Sequence, residues 1–272
     1  VKPHLWTRYV AVGDSITEGL GDPAPTDRFG QPSPDWLGWA DRLAVILDGA
    51  AHLEDRQVEF ANLAVRGRRI EHVVSEQIPA AIALRADLVT VMVGGNDLMS
   101  AKADPDTLAA RLETGISELR NNGSTVLIAN CFDPQFAFFL KPFRGRAAVF
   151  NANIWTIART HGASVLDVWG IRELQQGMMW AEDRVHLSPA GHRLLAARAA
   201  HALGVPYAEV VARSLPPLTV PDDRLVPPQN LALRTWLRVH AAPWLARRMR
   251  GVSAGDGISA KLPFPRPVGP RR

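Results

Sequence analysis

Tyr9-Val10-Ala11-Val12-Gly13-Asp14-Ser15-Ile16-Thr17 is the stretch that decides the fold. A short unbroken apolar run stopped by glycine reads as a strand covered on both faces, the pattern of a parallel sheet. The serine follows at once, at the bend where the chain leaves the strand. A helical turn beginning there would aim backbone N–H groups at its hydroxyl and favour developing negative charge. Taken alone, Gly13-Asp14-Ser15 also fits an ordinary turn or a helix N-cap.

Outward from this stretch, strand and helix patterns alternate through residue 205, as in successive βαβ units. Strands are expected at Val58 to Leu63, Leu88 to Val93, Thr125 to Ala129 and Ser164 to Leu166, giving about five with the first. Leu88-Val89-Thr90-Val91-Met92-Val93 is the clearest, β-branched and ended by Gly94-Gly95. Helices are expected at Asp35 to Leu47, Arg69 to Leu84 (kinked by Pro79), Asp106 to Arg120 and Phe143 to Arg159. Another opens at Ser188-Pro189, a serine cap with proline in the first turn, and runs to about His201. Parallel strands joined by helices place working loops at their C-terminal ends.

The 272 residues, 47% hydrophobic and 21% charged, suit one α/β domain with an appendage. We divide the chain into a domain at 1–205 and an appendage at 206–272. No apolar run approaches the ~18 residues of a membrane span, and Val1-Lys2-Pro3-His4 shows no signal-peptide core, so a cytoplasmic location is expected. Cys131 is the sole cysteine, which excludes an intrachain disulfide and a thiolate metal cluster. The net charge is +4, but the arginines are too few, and unaccompanied by any reading motif, to indicate a nucleic-acid partner.

Three further segments carry chemistry. Asp183-Arg184-Val185-His186 precedes the last helix of the domain, with the acid and imidazole one turn apart. A serine hydroxyl needs a base near neutral pH, and that base needs a carboxylate to fix its tautomer. His192 on the following helix is a rival base, and its alternative is a helix-surface or capping residue. Gly94-Gly95-Asn96-Asp97 closes the clearest strand, where the Asn96 amide could meet a tetrahedral oxyanion; a plain turn is the alternative. Asn62-Leu63-Ala64-Val65-Arg66-Gly67 follows the second strand, with the Gly67 N–H as a second donor.

Together, in this order and placement, these segments resemble the conserved blocks of the SGNH (GDSL-like) hydrolase family over about residues 7–203. Ser15 matches the nucleophile, Gly67 and Asn96 match the second and third blocks, and Asp183 with His186 matches the Asp-x-x-His block. The resemblance implies a flavodoxin-like three-layer α/β/α fold and a serine esterase acting on a carboxylic ester, with no metal or organic cofactor. It also implies an oxyanion hole of the Ser15 and Gly67 N–H groups with the Asn96 side chain. The same residues would serve a transacylase moving the acyl group to a sugar or lipid hydroxyl. A non-catalytic carbohydrate- or lipid-binding module is the third reading.

Substrate-pocket candidates are Asp14, Asp97, Phe132, Phe136 and Phe138. The aromatic stretch from Cys131 to Leu140 either lines an acyl pocket or lid, or packs beneath a loop. In the Gly19 to Pro34 loop, Asp22, Asp27 and Arg28 are candidates for binding a polar alcohol. In the appendage, residues 206–230 read as a Pro-rich linker. Leu233, Trp236, Leu237, His240, Ala241, Trp244 and Leu245 then recur at helical spacing among arginines, interrupted by Pro243. This amphipathic segment packs on the domain, lies on an anionic membrane or mediates self-association. The Pro/Arg-rich tail, Lys261 to Arg272, is expected to be extended or disordered.

Overall fold

The computed structural model of the chain describes residues 6–24, 36–100, 102–205, 233–243 and 253–268. Five parallel strands form where the apolar runs lie: β1 (Arg8–Gly13), β2 (Glu59–Asn62), β3 (Leu88–Met92), β4 (Thr125–Ala129) and β5 (Ser164–Leu166). Their spatial order is β5-β4-β3-β1-β2, the flavodoxin-like arrangement, whose switch point falls between β1 and β3. Ligand crevices open at that point, outside the strands' C-terminal ends.

Helices cover both faces. The faces of β1 alternate, Tyr9 and Ala11 to one core and Val10 and Val12 to the other. On the first side lie α2 (Trp39–His52) and α8 (Pro189–Ala202), through Trp39, Leu43, Leu195 and Ala199. On the second lie α3 (Ile70–His72), α4 (Ile78–Ala83), α6 (Pro105–Asn121) and α7 (Arg144–His161), through Ile70, Ile78, Ile116 and Phe150. Two short helices, α1 (Ser15–Glu18) and α5 (Gly95–Leu98), start directly from the ends of β1 and β3.

The structure departs from the sequence expectations in three places. The described part of the tail takes the extended reading, but as a sixth strand where about five were expected: β6 (Leu262–Pro267) pairs antiparallel with β2. Pro263, Pro265 and Pro267 leave alternate positions without a donor, a composition that a strand tolerates only at a sheet edge. So part of the appendage beyond 206 is built into the domain's sheet.

Helix α2 begins at Trp39 rather than Asp35, because Gly38 sits at φ 89° and Asp22 receives the Gly38 N–H at 3.2 Å. The expected helix over 69–84 contains a π turn, Val73–Gln77, between α3 and α4. Pro79 falls in the first turn of α4, where its missing N–H costs little.

The linker at 206–230, Asp27, Arg28, Asp35, Trp244 and Leu245 lie outside the described residues. Among the described residues no helix is long and apolar enough to cross a membrane.

Candidate active site

β1 ends in a tight corner that only glycine fits. Gly13 has φ +156°, and a Cβ there would stand 2.3 Å from the Met92 carbonyl oxygen of the neighbouring strand. The Gln77 side chain accepts the Gly13 N–H at 2.8 Å and donates to the Gly13 carbonyl at 3.0 Å. Asp14 then caps α1 by accepting the Ile16 N–H at 3.2 Å. Ser15 is thereby the first residue of α1, at the positive end of its peptides.

The Ser15 hydroxyl faces His186, with Oγ 2.8 Å from Nε2. On the other side of the ring, Nδ1 lies 2.5 Å from Asp183 Oδ2. The Asp183 Oδ1 accepts the backbone N–H groups of Val185 at 2.9 Å and His186 at 3.0 Å. One carboxylate therefore shapes its own loop and orients the imidazole. Ala181 donates to the His186 carbonyl at 2.8 Å, closing the loop as a narrow turn. Burial would raise the Asp183 carboxyl, but the His186 hydrogen bond and charge, with the two N–H groups, outweigh it and hold it at about 2.

Asn96 stands beside Ser15 at the switch point. Its Nδ2 donates to the Arg68 carbonyl at 3.0 Å and to Asp14 Oδ2 at 3.3 Å. Both amide hydrogens thus face protein acceptors, and the bond to Asp14 is the longer. Burial pushes the Asp14 carboxyl up to about 7, against the lowering effect of the Ile16 N–H and of His186. Gly67 takes φ +74°, a conformation that L side chains rarely adopt. The preceding Arg66 is fixed by its N–H to Glu18 Oε2 at 2.6 Å and by a guanidinium–carboxylate pair with the buried Glu18.

Beside Ser15 opens a cleft whose lining is mainly apolar, including Ile16, Leu98, Met99, Phe132, Leu140 and Phe143. Asp14 and Asn96 border it as well. Of the expected pocket residues, Phe132 lines the cleft. Phe136 instead stacks on Trp180, centroids 4.1 Å apart, and Phe138 is exposed. Asp97 is turned away to accept the Ile70 N–H at 3.1 Å, capping α3. Asp22 is buried against Arg42, at 2.9 and 3.0 Å, and so is spent on structure rather than on a ligand.

His192 is not a surface residue. It is buried, accepts the Trp39 N–H at 3.1 Å and bonds the Leu20 carbonyl at 3.0 Å, which leaves no nitrogen for Ser15. Its capping role is real, but it serves the N-terminus of α2. Sequence reading missed Gln77, whose one signal is a polar residue on the buried side of an apolar helix. It also missed Leu98, Met99 and Phe143, which reach the cleft only through the packing of α5 and the start of α7.

The chain is similar in sequence and fold to known proteins. A family model described as the GDSL-like Lipase/Acylhydrolase family matches residues 11–194. No curated protein sequence matches the chain. Among solved structures, LAE5, an alpha/beta hydrolase enzyme from the metagenome of Lake Arreo, Spain, is 21% identical. The match covers 73% of this chain and 95% of that one, with a TM-score of 0.59. Axe2, an acetylxylan esterase from Geobacillus stearothermophilus, is 20% identical over 74% of this chain and 95% of its own, TM-score 0.59. TesA is 22% identical over 72% of this chain and 98% of its own, TM-score 0.53.

Proposed function

The chain belongs to the GDSL-like lipase/acylhydrolase family and is an ester-hydrolysing enzyme, and we propose that Ser15, His186 and Asp183 carry the hydrolysis on an ester with an aliphatic acyl chain. The observation that carries this reading is the continuous relay from Asp183 through His186 to Ser15, at 2.5 and 2.8 Å. Variants of Axe2 replaced at a serine, and at an aspartate and a histidine three residues apart, are described as catalytic mutants. The same residue types and spacing occur here.

In the proposed reaction the Ser15 oxygen attacks the ester carbonyl while its proton passes to His186 Nε2. The Nδ1–H stays with Asp183, which stabilises the imidazolium. The oxyanion is met by the N–H groups of Ser15 and Gly67 and by the Asn96 amide, which exchanges its longer bond to Asp14 for the substrate oxygen. His186 then returns the proton to the departing alcohol, and water attacks the acyl-enzyme by the same route in reverse. The apolar cleft flanking Ser15 supports a hydrocarbon acyl group, because such a wall gains by covering methylenes.

The test is hydrolysis of p-nitrophenyl esters from acetate to palmitate, wild type beside Ser15→Ala. We expect Ser15-dependent turnover that rises from acetate toward a medium chain. Turnover retained in Ser15→Ala would remove the nucleophile, and a steady fall from acetate onward would remove the acyl cleft.

A further inference from the structure

The family match ends at residue 194, and LAE5 and Axe2 are covered over 95% of their length by 73% and 74% of this chain. The described segments 233–243 and 253–268 therefore lie beyond the family match. Both also meet loops of the candidate site, the second in addition to adding β6 to the sheet.

The first meets the loop that holds the base. Trp236, at the end of α9 (Leu233–Trp236), is 4% exposed and donates its indole N–H to the Asp183 carbonyl at 3.1 Å. Its ring packs on Phe139 at 4.7 Å, and the Arg184 guanidinium lies 5.8 Å from its centroid. His240 approaches Glu182 at 3.7 Å. Three consecutive loop residues, Glu182, Asp183 and Arg184, thus touch this segment. Arg184 has φ 60°, a left-handed conformation that is unfavourable for a non-glycine residue. A loop under such strain keeps its shape only if its surroundings hold it.

The second segment meets the Gly67 loop. Ser253 Oγ donates to the Gly67 carbonyl at 3.3 Å. Gly255 lies so close to the Arg66 carbonyl that a Cβ there would stand 2.1 Å from it. Arg66 O and the Gly67 N–H belong to one peptide plane, so contact at the oxygen constrains the direction of the N–H. The turn is itself braced: Ser253 N–H donates to Asp256 Oδ2 at 2.8 Å, and Gly255 N–H to Ser253 Oγ at 3.2 Å. Lys261, bonded to the Trp36 carbonyl and Asp41 Oδ2 at 2.7 Å each, and β6 anchor this end to the domain.

We infer that the chain beyond the family fold is a brace for the reaction, in which Trp236 positions the Asp183–His186 loop and Ser253, bonded on the carbonyl side of Gly67, positions that residue. Both are positioning residues, and the inference rests on the catalytic reading proposed above. A static support would change stability alone. A brace for the base and the oxyanion donor changes the rate of the step at Ser15 while substrate binding is kept.

The test uses the full chain and two readouts. One is kcat and KM on a p-nitrophenyl ester. The other is the rate of labelling by a fluorophosphonate, in which the Ser15 Oγ–P bond forms, the P–F bond breaks, fluoride leaves and the proton goes to His186. Trp236→Phe keeps the ring and loses the N–H, so it remains informative if Trp236→Ala fails to fold. For Trp236→Phe and Ser253→Ala we expect kcat and labelling rate to fall together by about tenfold or more, with KM within about twofold. Both rates unchanged in these variants, with wild type labelled at Ser15, would overturn the brace and leave the catalytic reading standing. No labelling of wild type at Ser15 would overturn that reading and the brace with it.

Discussion

Gln77 holds both backbone polar groups of Gly13, accepting its N–H at 2.8 Å and donating to its carbonyl at 3.0 Å. All the partners are buried, so the carboxamide replaces a hydrogen-bonded strand partner at the point where β1 turns into the serine corner. Replacing Gln77 by leucine leaves the buried Gly13 N–H unpaired and its carbonyl with only the longer Val65 N–H bond, at 3.4 Å. We expect a loss of about 2–4 kcal/mol in urea unfolding, together with reduced activity in the folded fraction. Unchanged stability would mean that water or a shifted strand takes over the Gln77 bonds.

The strands and the four chemical segments were legible because buried parallel strands are contiguous apolar runs, and the working residues sit at their ends. Gln77 was not, because its partner is remote in sequence and a π turn between α3 and α4 has no residue signature. β6 was hidden by its prolines, which resemble a disordered tail until an edge with an open partner is in view. The aromatic stretch showed only that rings would gather. That Phe132 faces the cleft while Phe136 stacks on Trp180 is decided by side-chain packing, which sequence period does not encode.

Asp14 and His192 give stability opposite dependences on pH. Burial raises Asp14 from 3.8 to about 7, so the folded protein keeps a proton that the unfolded chain releases. That contribution is full below about pH 4 and lost as pH rises toward 7. Burial lowers His192 from 6.5 to about 4, so its contribution is full above pH 6.5 and lost as pH falls toward 4. Relative to wild type, Asp14→Asn should gain stability as pH rises through this window, and His192→Gln as pH falls. Thermal melts of the three proteins at pH 4, 5.5 and 7 check both signs; parallel curves would place the protons elsewhere.

Asp183→Asn separates orientation from shape. The amide oxygen can still accept the Val185 and His186 N–H groups, but the amide NH2 would face His186 Nδ1 and favour the tautomer with hydrogen on Nε2. That nitrogen then cannot take the Ser15 proton. We expect kcat to fall by about 10³–10⁴ with the fold intact. A loss below about tenfold would mean that His186 finds its tautomer without Asp183.

Met99→Trp tests the cleft. An indole in place of the thioether, in the cleft shared with Leu98 and Phe132, fills space that a longer acyl chain would need, while an acetyl group would barely reach it. The expected result is a drop of about 10–100-fold in kcat/KM for octanoate, with acetate nearly unchanged. Equal losses on both esters would indicate a general disturbance of the corner at Ser15.

Asn96→Ala asks where the amide acts. Both of its amide hydrogens are engaged, with Asp14 at 3.3 Å and Arg68 at 3.0 Å, so ground-state substrate binding owes it little. If the weaker bond to Asp14 is exchanged for the developing oxyanion, the interaction exists only in the transition state. The substitution should then lower kcat by about 10²–10³ and leave KM nearly unchanged. A rise in KM at constant kcat would instead assign Asn96 to holding the ester before reaction. In that case the Ser15 and Gly67 N–H groups would be left as the donors that meet the oxyanion.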